Sequence, residues 1–397
     1  MKNSLPKANI PQLVTFTLLA MGCHIQISLN ITRLRAQYSQ ALIDQQVALL
    51  TSDVQQQLTD WEHTFSRFDE TSELMRLNNN TDQWTTVSAE LFAVLQSAIY
   101  FVAKTQGLVT PTLLNSICAA GYKQSFETLP KRPLVAKQTN AIGLATDSSQ
   151  CLQRPRLTSS SNEYRRNSSK NSSNTDDNSS HQYIERIQLR LLANGEHQVY
   201  LPTGMALDLN GYVKGWCAMQ LAEQISKSHD YPMPCLVDMG GDIAIGVADD
   251  QDINKPIVWG IAVAKAQLNT TTAQVENQQD EDVAILAISS GAVATSGQDH
   301  RRWWHNNQWQ HHLIDPDKNA PVVSDVLTAT VVTTNTLTAE VYAKYCVLLG
   351  VKQAMAWLKQ HHIAALLIAT DNQVIASPAI LPNLVQLKLV QPNLIAS

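Results

Sequence analysis

Between Ala41 and Phe68 the apolar residues Ile43, Val47, Leu50, Val54, Leu58, Trp61 and Phe65 recur at steps of three and four. That spacing predicts an amphipathic helix with one buried face. SAELFAVLQSAIYFVAKTQG, residues 88–107, repeats it, with Ser88 placed to cap the start and Gly107 to end it. The period drops to two in CHIQISLNI, where Cys23, Ile25, Ile27, Leu29 and Ile31 share one face of a half-buried strand. Ile187, Leu189 and Leu191 alternate before Asn194-Gly195, a hairpin signal. Short apolar runs follow in CLVDMGGDIAIGV, VWGIAVA, VAILAIS, TATVVTT and AALLIAT, interleaved with helix-like TLTAEVYAKYCVLLG and VKQAMAWLKQHH. Strands and helices do not alternate strictly, so the expectation is an α+β fold of mainly antiparallel sheets with packed helices. A parallel doubly wound sheet is the lesser option.

Two polar tracts interrupt this pattern. Residues 123–184 are rich in Ser, Asn, Arg and Asp and cannot bury enough apolar surface to offset their ordering entropy, so they read as a disordered insertion. The ordered chain is then expected as residues 19–122 and 185–397 of one domain, preceded by an N-terminal extension over 1–18. A shorter tract, NTTTAQVENQQDED (269–282), reads as a hairpin loop or a second insertion.

Composition narrows the class of function. The chain has 397 residues, 44% hydrophobic and 16% charged, an ordinary globular balance. A formal net charge of −5 argues against nucleic acid, which needs a Lys/Arg excess. The six cysteines show no CxxC and no Cys/His spacing suited to zinc. Most sit in apolar contexts such as WCAMQL and YCVLLG, as reduced buried thiols do, which points to the cytoplasm. The N-terminal stretch ending in Gly22-Cys23 has the outline of a lipoprotein signal, but Cys23 opens an alternating strand and that reading prevails. No run is long and apolar enough to span a bilayer.

Candidate chemistry gathers at four places. LDLNGYVKGW, residues 207–216, spaces Asp208, Gly211 and Lys214 three apart, on one face if helical. By itself this is an N-capping Asp with a Lys partner. MGGDIAIG (239–246) and ATSGQDHRRWW (294–304) put glycines at strand ends, where backbone can approach an anionic ligand or simply turn. HHLIDPDKNAP (311–321) sets two histidines, possible proton acceptors or surface decoration, before Asp315-Pro316. Glu340 and Lys344, four apart on a helix, make a solvated ion pair by default.

Taken together and in order, these segments resemble the FAD:protein FMN transferases of the ApbE type. The family's Met-Gly-Thr is similar to Met21-Gly22-Cys23, its Ser-x-Tyr-x-x-x-Ser-Glu segment to SRFDETSELMRLN (66–78), and its Gly-x-Phe-Asp-like turn to GLVTPT (107–112). Its Asp-Leu-x-x-x-x-Lys-Gly signature is matched closely by DLNGYVKG (208–215), followed by GGD (240–242), SG (296–297), IDP (314–316) and AEVYAK (339–344). The match spans Leu19 to Leu349, and co-linear weak motifs make one strong signal.

The resemblance implies FAD as substrate, Mg2+ as cofactor and an acceptor protein whose Thr or Ser hydroxyl receives FMN. It assigns Met21, Phe68, Leu108, Val109, Thr110, Asp208, Lys214 and Ile314 to dinucleotide binding. Gly211, Glu340 and Lys344 fall at the family's metal-binding positions. His312, or His311 beside it, is the candidate base, with Asp315 as a second catalytic candidate. The departures are Glu340 for an Asp, Lys344 for a Thr, Thr110 for an Asp, Phe68 for a Tyr and Cys23 for a Thr. A protonated Lys344 cannot ligate a metal and competes with one for space. Alternatives are a relative that binds FAD without transfer, or a pyrophosphatase releasing FMN and AMP. Family members are commonly exported, which stands as the alternative to a cytoplasmic location.

Overall fold

A computed structural model of the chain describes residues 12–129, 184–249, 255–266 and 282–387. All of them belong to the unit formed by Met1–Lys131 and Ser179–Ser397. Of the polar insertion, residues 130–183 lie outside the described residues, and so does nearly all of the second polar tract, 267–281.

An eight-stranded sheet organises the described chain. Its strands are β1 (Leu13–Ala20), β2 (Cys23–Asn30), β3 (Cys235–Met239), β4 (Asp242–Gly246), β5 (Gly291–Gly297), β6 (Val326–Thr333), β7 (Ala364–Ala369) and β8 (Val374–Ala376). They lie side by side in chain order, and every neighbouring pair is antiparallel. The fold is therefore α+β with mainly antiparallel sheets, as the apolar pattern indicates. Longer segments leave this sheet between strands and return to it, and those excursions build the functional site.

The central strands read as near-continuous apolar runs because both faces are covered. On β7, Ala365 and Leu367 pack toward the helices, whereas Leu366 and Ile368 join a core on the opposite face. That opposite face is closed by a second antiparallel sheet of Trp259–Ala264, Asp282–Ile288 and Leu384–Leu387. Helices cover the first face: α1 (Gln40–Phe65), α2 (Ala89–Lys104), α3 (Val213–Ser226), α4 (Thr336–Leu349) and α5 (Val351–Gln360). Ser88 accepts from Leu91 N–H at 3.1 Å, and Gly107 N–H closes the far end on Val102 O at 2.8 Å, the boundaries expected for α2. Leu192 N–H bonds Glu196 O at 2.9 Å across the Asn194-Gly195 turn, closing the hairpin of Gln188–Leu191 and His197–Tyr200.

The N-terminal boundary needs correction. Residues 13–18 are not an extension but most of edge strand β1, whose Leu13 pairs with Asn30 and Ala20 with Cys23. Met21 and Gly22 form the intervening turn with φ of 53° and 65°, the left-handed backbone that a two-residue hairpin turn requires. Cys23 accordingly opens β2, as its alternation predicts.

Candidate active site

The site begins with the loop ahead of α3. Leu207 and Leu209 are buried and anchor it, while Asn78 grips Leu207 twice, accepting from its N–H at 2.7 Å and donating to its carbonyl at 3.0 Å. Asp208 between them donates its N–H to Pro111 O at 2.8 Å. Its carboxylate accepts the Asn210 N–H at 2.9 Å, a local turn that ends the loop. Helix α3 starts only at Val213. Asp208 is therefore neither its N-cap nor the partner of Lys214. The helical spacing at 208–214 breaks in this turn, and each charged group finds a partner elsewhere.

Asp208 lies 3.3 Å from Nε of Arg67, with both side chains buried. The Arg67 guanidinium sits between the Phe68 and Tyr122 rings, 4.1 and 4.4 Å from their centroids, and Nη1 donates to Tyr122 O at 2.9 Å. Stacking suits a planar guanidinium that must leave water. Lys214, in the first turn of α3, pairs with Asp242 at the start of β4. Gly240 and Gly241 with φ of 71° and 94° turn the chain tightly between β3 and β4 and deliver Asp242 there. Burial opposes the charge on Lys214, but the Asp242 and Glu340 carboxylates outweigh it and hold its pKa above the ordinary lysine value.

Glu340 of α4 joins the two sides. Its Oε2 accepts the Gly215 N–H at 2.8 Å and its Oε1 meets Lys344 Nζ at 2.9 Å. The pair expected to be solvated is buried: Glu340 is 0% and Lys344 12% exposed. Burial pushes the Glu340 carboxyl up, against the pull of Lys344. A Cβ at Gly211 would stand 3.4 Å from Lys344 Cε, so the lysine stem lies along that glycine. Gly211, Glu340 and Lys344 are thus neighbours, as the motif order implies.

One cavity collects most of the expected residues. Leu108, Val109, Thr110, Asp208, Gly211, Lys214, His312, Ile314 and Lys344 all line it, together with Gly240, Ser296, Gly297 and Arg301. Thr110 Oγ1 bonds Thr112 Oγ1 at 2.9 Å in that wall. Met21 and Phe68 line a second pocket, which shares Tyr122, Asn210 and Arg301 with the first. Lysine heads face the first cavity while their carboxylates stand behind, Asp242 being 1% and Lys214 18% exposed. The lining carries both signs of charge, Lys214, Lys344 and Arg301 beside Asp208 and Asp299.

The two histidines differ. His311 is structural: its Nδ1 accepts Leu313 N–H at 3.3 Å, and its Nε2 faces Val322 O at 2.9 Å and so carries the proton. Burial drives its pKa down to about 4. His312 lines the cavity, and its buried Nδ1 has no hydrogen-bond partner among the described residues. Burial first, then the charges of Arg301, His311, Lys344 and Lys214, holds its pKa well below the usual histidine value, leaving a neutral proton acceptor. Asp315 is not brought into the cavity lining. Its carboxylate accepts the Asp317 and Lys318 N–H groups at 3.0 and 3.3 Å and pairs with Lys318 Nζ at 2.8 Å, shaping a tight turn.

The donor set does not suit a magnesium ion. Among the described residues no group of three His, Cys, Asp or Glu side chains could hold a metal. Both Glu340 oxygens are already engaged by an N–H and an ammonium, Asp242 by Lys214, and Asp208 by Arg67. Magnesium needs several free oxygen ligands, and a fixed ammonium in the same shell repels it.

Three residues escaped the sequence reading. Asp242 stood in the Gly-Gly-Asp motif, but nothing in its spacing named Lys214 as its partner. Arg67 and Arg301 carried no signal: one acts through stacked rings, and the other follows a strand by a loop of unremarkable composition.

Residues 21–367 match the ApbE family, and the chain belongs to that family. It is similar to the FAD:protein FMN transferase of Treponema pallidum, 28% identical over 187 residues that make up 46% of this chain and 49% of that relative. With the FAD:protein FMN transferase of Haemophilus influenzae it shares 24% identity over 324 residues, 79% of this chain and 77% of the other. The chain therefore spans about half the length of the Treponema relative. The crystal structure of the ApbE protein of Thermotoga maritima superposes with a TM-score of 0.64 at 18% identity, covering 93% of this chain and 98% of that one. That likeness shows the fold. No helix among the described residues is long and apolar enough to cross a membrane.

Proposed function

We propose that this chain transfers the FMN half of FAD to a threonine or serine hydroxyl of an acceptor protein. The observation that carries this reading is the convergence of two anchored ammonium groups, Lys214 and Lys344, and the imidazole of His312 on one cavity. Names of the relatives point the same way.

The acceptor oxygen attacks the FMN-side phosphorus of the FAD pyrophosphate. A P–O bond to the acceptor forms as the P–O bond to AMP breaks, and AMP leaves. His312, kept neutral by its low pKa, takes the hydroxyl proton. Lys214 neutralises charge on the pyrophosphate, as its raised pKa ensures at neutral pH. Asp208 offers a carboxylate, itself held by Arg67, to hydrogen-bond donors of the dinucleotide. The apolar wall of Leu108, Val109 and Ile314 receives its flat, apolar parts.

The test is incubation of the chain with FAD and a flavoprotein acceptor, followed by denaturation and mass analysis. Covalent FMN on a Thr or Ser of the acceptor, with one AMP released per label, is the expected result. AMP release without labelled acceptor would overturn transfer in favour of hydrolysis.

A further inference from the structure

Two facts about this cavity pull apart. It presents Lys214 and Lys344 to an incoming anion, yet the carboxylates behind them, Asp242 and Glu340, are already engaged by those two lysines and by the Gly215 N–H. Lys344 occupies the centre of the difficulty. Its stem packs along Gly211, its Nζ is held 2.9 Å from Glu340 Oε1, and it lines the cavity with only 12% of its side chain exposed. Glu340 is in turn locked to the first turn of α3 through Gly215 N–H. An ammonium held by a buried carboxylate, on a stem that lies along a glycine, is preorganised, and it keeps further N–H donors for a ligand.

We propose that Lys344 is a built-in substitute for a divalent cation, so that this chain binds the pyrophosphate of its dinucleotide without any metal. The inference rests on the reading that FAD enters this cavity. Lys214 and Lys344 approach the cavity from different helices, α3 and α4, each backed by its own buried carboxylate. They can hold two phosphate oxygens as a cation bridge would, but with directional N–H donors and single charges. Glu340 serves Lys344 rather than a metal. It compensates the charge when the cavity is empty and fixes the position of the ammonium when a phosphate arrives.

Flavin fluorescence titration measures the affinity of the wild-type chain for FAD in EDTA and again in millimolar Mg2+. Equal affinities in the two buffers are expected. Tightening by tenfold or more on adding Mg2+ would overturn this inference while leaving FAD as the ligand. Absence of FAD binding in both buffers would overturn the FAD reading as well. The double variant Lys344→Met/Glu340→Gln keeps volume and removes both buried charges, so it guards against misfolding, which circular dichroism checks. Its affinity for FAD in EDTA should fall by about 10- to 100-fold, the worth of a charge-assisted hydrogen bond. An unchanged affinity would show that Lys344 does not touch phosphate. Calorimetric titration of the wild-type chain with Mg2+ alone should give no saturable heat; a stoichiometric site would count against the substitution.

Discussion

The carboxylate of Glu340 accepts the backbone N–H of Gly215 at 2.8 Å, across 125 residues of sequence. This bond fastens α4 to the N-terminal turn of α3, where an amide lacks a partner within its own helix. The approach demands glycine. A Cβ at position 215 would stand 2.6 Å from Oε2 of Glu340 and 3.0 Å from the Thr336 carbonyl oxygen. The Gly215→Ala variant should lose about 1–3 kcal/mol of stability, read as a lower urea midpoint with unchanged slope. A wild-type midpoint would mean that the two helices separate freely.

Asp208 and Arg67 lie together away from water, with 10% and 2% of their side chains exposed. Removing one partner strands the other charge. Asp208→Ala should therefore cost about 3–5 kcal/mol, whereas Arg67→Met/Asp208→Asn should recover much of that loss. Denaturation of the wild type, Arg67→Met, Asp208→Asn and the double variant completes a double-mutant cycle. Additive single effects would show that the two side chains do not act as a pair.

His312 separates chemistry from binding. Replacement by Gln should reduce flavin transfer by about 100-fold or more and leave FAD affinity within about twofold, because imidazole handles the proton rather than the phosphates. Its pKa lies well below the ordinary value through burial and the surrounding cations, so the acid limb of the pH–rate profile should fall well under pH 6.5. Arg301→Gln removes the largest of the charges that depress it, and the limb should move upward in pH. A limb that stays in place would remove His312 as the titrating base.

The sheet and helices were largely legible because their residues obey one period at a time. The alternation of Cys23 to Ile31 marks β2, and the three-four spacing of Ile43 to Phe65 marks α1. Strand β1 was not read, although its burial also alternates. Its turn is Met21-Gly22 rather than an Asn-Gly pair, and its outward residues Leu13 and Leu19 are themselves apolar, which blurs the period. At the site, motif order located Asp208, Lys214, His312 and Glu340 near one another, but partners lay beyond it. Spacing placed Asp208 beside Lys214, whereas folding gives Asp208 to Arg67 and Lys214 to Asp242, 28 residues away from Lys214. Both are contacts between elements distant in the chain, a loop with a loop and a helix with a strand end, and local spacing does not encode them.

His311 makes a separate demand on stability. Its folded pKa of about 4 lies below the ordinary histidine value of 6.5, so between those pH values the folded chain holds fewer protons than the unfolded one. Stability is then complete above pH 6.5 and drains away as pH falls toward 4, by about 3 kcal/mol for this group. His312 acts in the same direction, so the contribution of His311 is isolated by difference. A Gln at position 311 can accept from Leu313 N–H or donate to Val322 O without titrating. His311→Gln should start below the wild type at pH 7.5, since an amide cannot reproduce both bonds well, and should close that gap or reverse it near pH 4. Urea midpoints at several pH values would show the convergence. Parallel curves for the two chains would mean that the folded protein accommodates a charged His311, and that its bonds to Leu313 and Val322 do not fix the neutral form.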